Sequence, residues 1–562
     1  MKHTNSRNLT DKSDGGIFYS LKTYSDIKPQ RNILSLRADE ALAFFMNSER
    51  FCGFELPEYF KFDSLLQYIR EIVADKNFSD CCTIDPAEEM GVNLEILLNK
   101  DGKYGVRPLT LVNPYLYYFL CREVCKDGNW SILLDCFKSF AVPHINSCAI
   151  PVIPKEKEAF HKSTIILNWW NSMEQRSLEL SLEYRYMFVS DITNCYGSIN
   201  PQSIDWALSM KGTSYANDKH HDLAMEIIRY IKSMQQGRNI GIPQGSTIFD
   251  FVGEIVLGYA DLLLHEAIER SEKESGRKFC GYEILRYRDD YRIFSNNKDE
   301  LEQLSYILQQ VLEGLNFRMN TSKTRVSESL VTDSIKSDKL AYIYNTPIFN
   351  KKGCDFDGIQ KHLLYLLMFA REYPNAGQLK NMLTDLDNRI IKRLKPRKKK
   401  ITEIDLENGK THDKEEIIYP HIKENKKAII AVATQLAVEN VSIVNYALRI
   451  ISRILNDIED QRERKRVIAL VYERLSHQPN STYTQVWLQN ITYPKDVVNN
   501  TCPYTLPLCE LVMGKQIDLW NNTWLKAELT DNLPINSIVD KEILSKNNSV
   551  IVFRETRAYY EI

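Results

Sequence analysis

The chain has 562 residues, 43% of them apolar and 26% charged, with 72 basic against 74 acidic side chains and a formal net charge of −2. That length allows two or more domains with full cores, and the composition is that of an ordinary soluble globular protein. Near-neutrality excludes a globally basic coat for nucleic acid, so any such site must be a local groove. The polar start, Met1 to Arg7, carries no signal-peptide core. The longest apolar run, Phe249 to Leu264, is broken by Asp250, Glu254 and Asp261, which is too polar for a membrane span and suits a buried helix. The twelve cysteines include no Cys-x-x-Cys pair, which argues against zinc; reduced thiols and a cytoplasmic location are expected.

In chain order, the first fifteen or so residues read as disordered. Ala38 to Phe45 and Phe62 to Ile69 have the periodicity of amphipathic helices. Asp101-Gly102, between short extended runs from Ile96 to Pro108, signals a hairpin. Lys100, Lys103 and Arg107 line it, as a solvated surface or as a basic flap over phosphates. Leu116 to Val124 reads as a helix. Lys155, Lys157, His161 and Lys162 form a modest basic cluster, by default a solvated face. The apolar run from Tyr186 then delivers Asp191 at a strand end, where open sheets place ligands; alone, Asp191 also reads as a cap. Tyr196 follows, just before a helix from Pro201 to Met210. His220-His221 is placed in a polar loop and given no metal role.

Gly241-Ile-Pro-Gln-Gly245 marks a bend whose backbone can approach a ligand, with Ser246 or Thr247 placed to cap the helix beyond it. Ile284 to Phe294 reads as a β-hairpin with Asp289 and Asp290 at its bend. Two adjacent carboxylates repel, and a fold that keeps them together commonly offers a divalent cation. A helix from Lys298 to Leu315 leads to a strand or turn carrying Lys323, which alone reads as a solvated lysine. Farther on, Lys361–Glu372, Gly377–Leu394, Lys426–Ile458 and Arg462–Leu475 are helical by pattern, with weak helix-pair periodicity over 426–490. Between them Lys392 to Lys400 is a run of basic residues, read first as a mobile solvated loop and second as a contact for a nucleic-acid backbone.

Taken together and in order, these pieces resemble the reverse transcriptases. Phe188-Val-Ser-Asp-Ile-Thr-Asn-Cys-Tyr196 is similar to the first palm motif, Gly241-Ile-Pro-Gln-Gly-Ser246 to the second, Tyr287-Arg-Asp-Asp290 to the third and Asn320-Thr-Ser-Lys-Thr324 to the fourth. Arg107-Pro-Leu-Thr-Leu-Val-Asn-Pro114 resembles the finger motif. The likeness covers roughly residues 95–335, and five motifs in order are a far more specific signal than one. The palm phrases, the Arg-Pro finger motif and a helical C-terminal region without a ribonuclease H or integrase motif look most like the bacterial abortive-infection and defence-associated kind.

The resemblance implies an α/β (α+β) fold, a right-hand polymerase. Residues 1–94 would be a helical part of the fingers, 95–340 the fingers and palm, and 341–562 an all-α C-terminal region. It implies a DNA polymerase that adds deoxynucleotides by two-metal phosphoryl transfer, either copying an RNA or extending DNA without template from a protein hydroxyl; Tyr559-Tyr560 read first as a buried or frayed tail and second as such a primer. Asp191 and Asp289 would bridge two Mg²⁺ ions, with Asp290 beside them and the Ile192 carbonyl completing the second site. Tyr196 would lie under the sugar and exclude a 2′-hydroxyl, and Gln244 and Gly245 would pack on nucleotide and template. Arg107, with Lys100 or Lys103, would hold the triphosphate, and Lys323 would serve the pyrophosphate. Arg288 departs from the family, which has a small or apolar residue there; its guanidinium has a phosphate, an unusual primer or a nearby acid as its partner. Implied partners are nucleic acid, deoxynucleoside triphosphates, and a second copy or a partner protein on the helical region. The rival reading is a catalytically inactive RNA-binding scaffold.

Overall fold

The computed structural model describes residues 31–100, 105–153, 168–210, 218–342, 358–374, 377–404, 411–492 and 502–546. Lys103, the basic cluster at 155–162, Tyr559 and Tyr560 lie outside them, as do the first thirty residues, and the Lys100 side chain is likewise not described. Strands β1 (Leu94–Lys100) and β2 (Gly105–Leu111) pair antiparallel, as the Asp101-Gly102 signal predicts.

The central sheet has five strands: β3 (Ile145–Ser147), β4 (Tyr186–Asp191), β5 (Tyr282–Tyr287), β6 (Asp290–Ser295) and β7 (Arg325–Ser327), in the order β3-β5-β6-β4-β7. Only the β3–β5 pair is parallel. Because side chains alternate between faces, Phe188, Ile284, Tyr291 and Ile293 join the main core shared with the long helix Thr247–Ser275. Met187, Leu285 and Phe294 face the other way and form a smaller cluster with Met173, Leu180 and Leu330. The sheet is therefore covered on both faces, and the catalytic motifs of the sequence reading sit where β4 ends and β5 turns into β6.

From Thr247 to Asp261 the long helix is buried on nearly all sides and mostly apolar, while its last two turns are charged and largely exposed. It ends at Gly276, whose φ of +65° is the left-handed stop that glycine accommodates. Ser246 is its N-cap residue, but its hydroxyl makes no capping bond and is buried without a partner. His220 and His221 belong to a helix, Asp218–Ser233, and not to the polar loop expected: Leu223, Ala224, Ile227, Ile228 and Ile231 give that segment a continuous apolar face.

Among the described residues beyond 358, the regular elements are helices apart from one hairpin. Helices Ile359–Glu372 and Gly377–Leu394 are followed by β8 (Arg397–Ile404) paired with β9 (Thr411–Ile418). The basic run is thus the end of a helix and the start of a strand, not a loop. The register sets Lys399 opposite Glu416 and Lys400 opposite Glu415, and Lys398 Nζ lies 2.9 Å from a Glu415 carboxylate oxygen. The stretch expected as one helix from Lys426 to Ile458 is two, Lys426–Glu439 and Val444–Asn456, separated by a 3-10 turn at Val441–Ile443. Helices Gln461–Ser476 and Thr482–Thr492 continue the series, each packing on the two before it. Inside it Asp387 is fully buried between Arg449, 3.1 Å away, and Arg453.

The last described segment returns to the N-terminal half. Tyr115 Oη donates to the Leu529 carbonyl, Asn113 bonds Asn522, and the indole of Trp520 donates to the Leu111 carbonyl at 3.0 Å. Thr482 both donates to and accepts from the backbone of Leu97 on β1. Trp520 and Trp524 are buried among these contacts. Trp520→Ala removes a large core side chain and orphans the Leu111 carbonyl, so it is expected to destabilise the protein by about 3–5 kcal/mol. A urea titration followed by circular dichroism reads this as a fall in midpoint at unchanged slope.

Candidate active site at the head of the central sheet

The site begins with register. Asp191, the last residue of β4, is the Cα partner of Asp290, the first residue of β6. Directly opposed residues on antiparallel strands share a face, so the two carboxylates are neighbours. Tyr287 pairs with Asp290 across β5–β6, which leaves Arg288 and Asp289 as the two-residue turn. Asp290 is therefore in the strand, not at the bend as the sequence suggested. Arg288 has φ of +54°, a left-handed conformation rare for a residue with a side chain. The turn is fastened to β4: the Ile192 N–H donates to the Asp289 carbonyl at 3.0 Å.

Two of the three acids feel the crowding directly. Burial pushes the Asp289 carboxyl above its ordinary range, and the charge on Asp191 adds to the push. Burial, then the charge on Asp289, brings Asp290 up to about 6. Asp191 is itself buried; its Oδ2 accepts a 2.5 Å hydrogen bond from Lys323 Nζ, while Oδ1 is buried with no hydrogen-bond partner. Lys323 reaches it because its turn is docked on β4. The Asn320 N–H donates to the Asp191 carbonyl at 2.8 Å, and the hydroxyls of Thr324 and Ser190 are 2.8 Å apart.

Tyr196 and the Gly241–Gly245 bend lie alongside. The Ile242 N–H donates to the Tyr196 carbonyl at 2.9 Å, and a Cβ on Gly241 (φ +72°) would come within 2.4 Å of that oxygen, so only glycine fits the crossing. The Gln244 carbonyl accepts from Thr110 on β2, and the Gly245 carbonyl from Gly53, which binds the bend to the β1–β2 hairpin. Arg107 lies on β2 three residues before Thr110, partly exposed. No hydrogen bond joins it to the acids among the described residues. The structure thus brings together Asp191, Ile192, Asp289, Asp290 and Lys323, sets Tyr196, Arg288, Gln244 and Gly245 around them, and ties Arg107 to the group only through β2.

Four functional residues escaped the sequence reading. Arg286, fully buried on β5, donates to both oxygens of Asp261 (3.0 and 2.9 Å), to both oxygens of Glu254 (3.1 Å each) and to Ser147 on β3 at 2.8 Å. Two residues on, Arg288 donates to Asp250 at 2.7 Å, and the Tyr196 hydroxyl donates to the other oxygen of Asp250 at 2.5 Å. Burial disfavours the Arg286 charge, yet the two carboxylates outweigh it and keep the guanidinium charged. Burial takes Asp261 up to about 6 against the pull of Arg286. The signal was present in the spacing. At 100° per residue, positions 250, 254 and 261 fall within about 40° of one another on a helix, an acidic stripe facing alternate arginines on a strand.

Residues 120–360 match the family model described as reverse transcriptase (RNA-dependent DNA polymerase). No curated protein matches the sequence. Among solved structures, apo telomerase from Candida tropicalis truncated of its C-terminal domain is similar at 12% identity and a TM-score of 0.28, over 46% of this chain and 53% of that one. This chain therefore spans about half of that relative. Telomerase from Candida albicans in complex with a TWJ fragment of telomeric RNA gives 10% and 0.27 over 76% and 68% of the two chains; apo telomerase from Candida tropicalis gives 12% and 0.28 over 75% and 71%. No described helix is long and apolar enough to cross a membrane.

Removing Arg286 strands two buried carboxylates. Arg286→Met is expected to cost about 3–5 kcal/mol, read as a lowered midpoint in a denaturant titration, and adding Glu254→Gln and Asp261→Asn to it recovers part of the loss.

Proposed function

We propose that this chain, whose residues 120–360 carry the reverse transcriptase domain of an RNA-directed DNA polymerase, adds deoxynucleotides at the head of the β4–β6 pair and acts in antiphage defence. The observation that carries the site assignment is the pairing of Asp191 with Asp290 across β4–β6, with Asp289 tied to Ile192 beside them.

The residues present suit a divalent metal. Their donors are all oxygen, Asp191 Oδ1 is buried and unpartnered, and Asp289 and Asp290 are crowded by burial and by like charge. Among the described residues no group of three or more His, Cys, Asp or Glu side chains forms a ready metal cage; Mg²⁺ is an ion held by one or two carboxylates and completed by substrate phosphates. Asp191, Asp289, Asp290 and the Ile192 carbonyl would hold two such ions. When bound, they would lower the pKa of the attacking 3′-hydroxyl and neutralise charge on the leaving pyrophosphate.

The chain's own groups supply the rest. Lys323, through its ion pair, orients Asp191 and places a cation beside the phosphates. The Tyr196 ring lies under the sugar and excludes a 2′-hydroxyl. Gln244 and Gly245 pack against nucleotide and template, and Arg107, with Lys100 or Lys103, grips the triphosphate. The pairing of Arg288 with Asp250 supports the third of the partners weighed for it, a nearby acid, over a phosphate or an unusual primer.

The defence role rests on the likeness of the palm phrases and the helical C-terminal region to the abortive-infection kind. Cytoplasmic location, assembly through the helical region, and the choice between an RNA template and a protein primer belong to the same reading. The rival, an inactive RNA-binding scaffold, is separated by mutation. Purified protein with labelled deoxynucleotides and Mg²⁺ is expected to incorporate label, and Asp289→Ala to lose at least about a hundred-fold, the scale of losing one transition-state charge contact. Equal incorporation by both proteins overturns the assignment. Phage protection that survives Asp289→Ala favours the scaffold. Sequencing the nucleic acid that co-purifies, and weighing the protein after nuclease digestion, distinguishes a templating RNA from DNA joined to a tyrosine.

A further inference from the structure

The acid at position 250 holds two functional groups at once. One carboxylate oxygen accepts from the Tyr196 hydroxyl at 2.5 Å and the other from the Arg288 guanidinium at 2.7 Å. Tyr196 belongs to the short helix Cys195–Ser198 just after Asp191, Arg288 to the β5–β6 turn with Asp289, and Asp250 to the first turn of the long helix. Three elements are thus joined by one side chain. The Tyr196 phenol is a firm donor: burial holds its proton on, and the negative charge of Asp250 adds to that. The ring has a defined seat as well. Its edge stands 3.9 Å from where a Cβ on Gly253 would lie, one helical turn beyond Asp250, so ring and hydroxyl are located by the same helix. Beyond the ion pair is a shallow cleft lined by Pro151, Asn168, Thr247 and Tyr287 besides Asp250 and Arg288.

An aromatic ring selects against an extra hydroxyl on a sugar only if it cannot rotate or retreat. A phenol with a free hydroxyl is held by packing alone; a phenol bonded to a fixed carboxylate is held at both ends. Here the carboxylate is itself fixed by an arginine on the turn that carries the acids. We infer that Asp250 is a positioning residue for sugar selection, locking the Tyr196 ring through its hydroxyl and coupling it, through Arg288, to the turn bearing Asp289. This rests on the reading of Tyr196 as the residue under the incoming sugar.

The test compares kcat/KM for dATP with kcat/KM for ATP, each protein serving as its own reference, using the full chain with Mg²⁺. Tyr196→Phe keeps the ring and removes only the bond to Asp250. It is expected to lower deoxynucleotide preference roughly ten-fold, the scale of a hydrogen bond to a charged group. Asp250→Asn, which breaks the ion pair with Arg288, is expected to lower it by a similar factor. The double variant is expected to lose no more than the larger single loss, because both act through one linkage. A preference unchanged in Tyr196→Phe overturns the inference, as does full additivity in the double variant. Tyr196→Val separates this from the reading beneath it. If that variant also leaves the preference unchanged, Tyr196 does not face the sugar at all. If it abolishes the preference while Tyr196→Phe does not, the sugar reading stands and the role of Asp250 falls.

Discussion

The β5–β6 turn stands where it does because of a line of opposite charges between a helix and a strand. Asp250, Glu254 and Asp261 run along one face of the long helix, and Arg286 and Arg288 run along the facing side of β5 and its turn. A hydrophobic interface alone would let strand and helix slide by a residue at modest cost. A buried guanidinium forked between two carboxylates does not permit that, since any slip leaves charge unpaired in a medium of low dielectric. The ladder thus fixes β5, the β5–β6 turn follows from β5, and the position of Asp289 and Asp290 follows from the turn.

The strand that carries the other acid is placed independently. β4 is held between β6 and β7, and its register with β6 brings Asp191 opposite Asp290. The site is therefore the meeting of two separately anchored pieces. Like charges are forced together there, and the strain appears as carboxyls that hold their protons more tightly than exposed acids do. Lys323 relieves part of it from one side, while Asp191 Oδ1 is left buried and unpartnered on the other. That combination of crowding and an unmet oxygen supports the proposed reading of a hard-ion site.

Much of this was legible in the residues. Ala38–Phe45 and Gly377–Leu394 were read with the bounds observed, because their apolar positions recur at helical spacing without interruption. The gathering of Asp191 and the acidic doublet was legible from motif order, since a strand-end acid and a hairpin acid in one sheet have few other ways to meet. The supports were not. Asp250, Glu254 and Asp261 were seen only as polar breaks in an apolar run, and Arg286 only as one residue of a strand. Their meaning lies in a match between two periodicities, 3.6 on the helix and 2 on the strand, that no single segment displays. The β8–β9 hairpin was hidden for a related reason. Its lysine-rich and glutamate-rich halves lack apolar alternation, and their complementarity exists only once the strands are antiparallel, with Lys400 opposite Glu415. His220 and His221 were misplaced because the apolar face that makes their segment a helix begins after them.

The bond from Tyr115 to the Leu529 carbonyl spans 414 residues of sequence. At a synthesis rate of roughly 5–20 residues per second, about 20–80 s separate the emergence of one partner from that of the other. Until then the segment carrying Trp520, Asn522 and Leu529, the partners of Leu111, Asn113 and Tyr115, has yet to be made. During translation the polymerase-like half is thus an unfinished surface, and chaperones that shelter apolar patches have a defined interval in which to act.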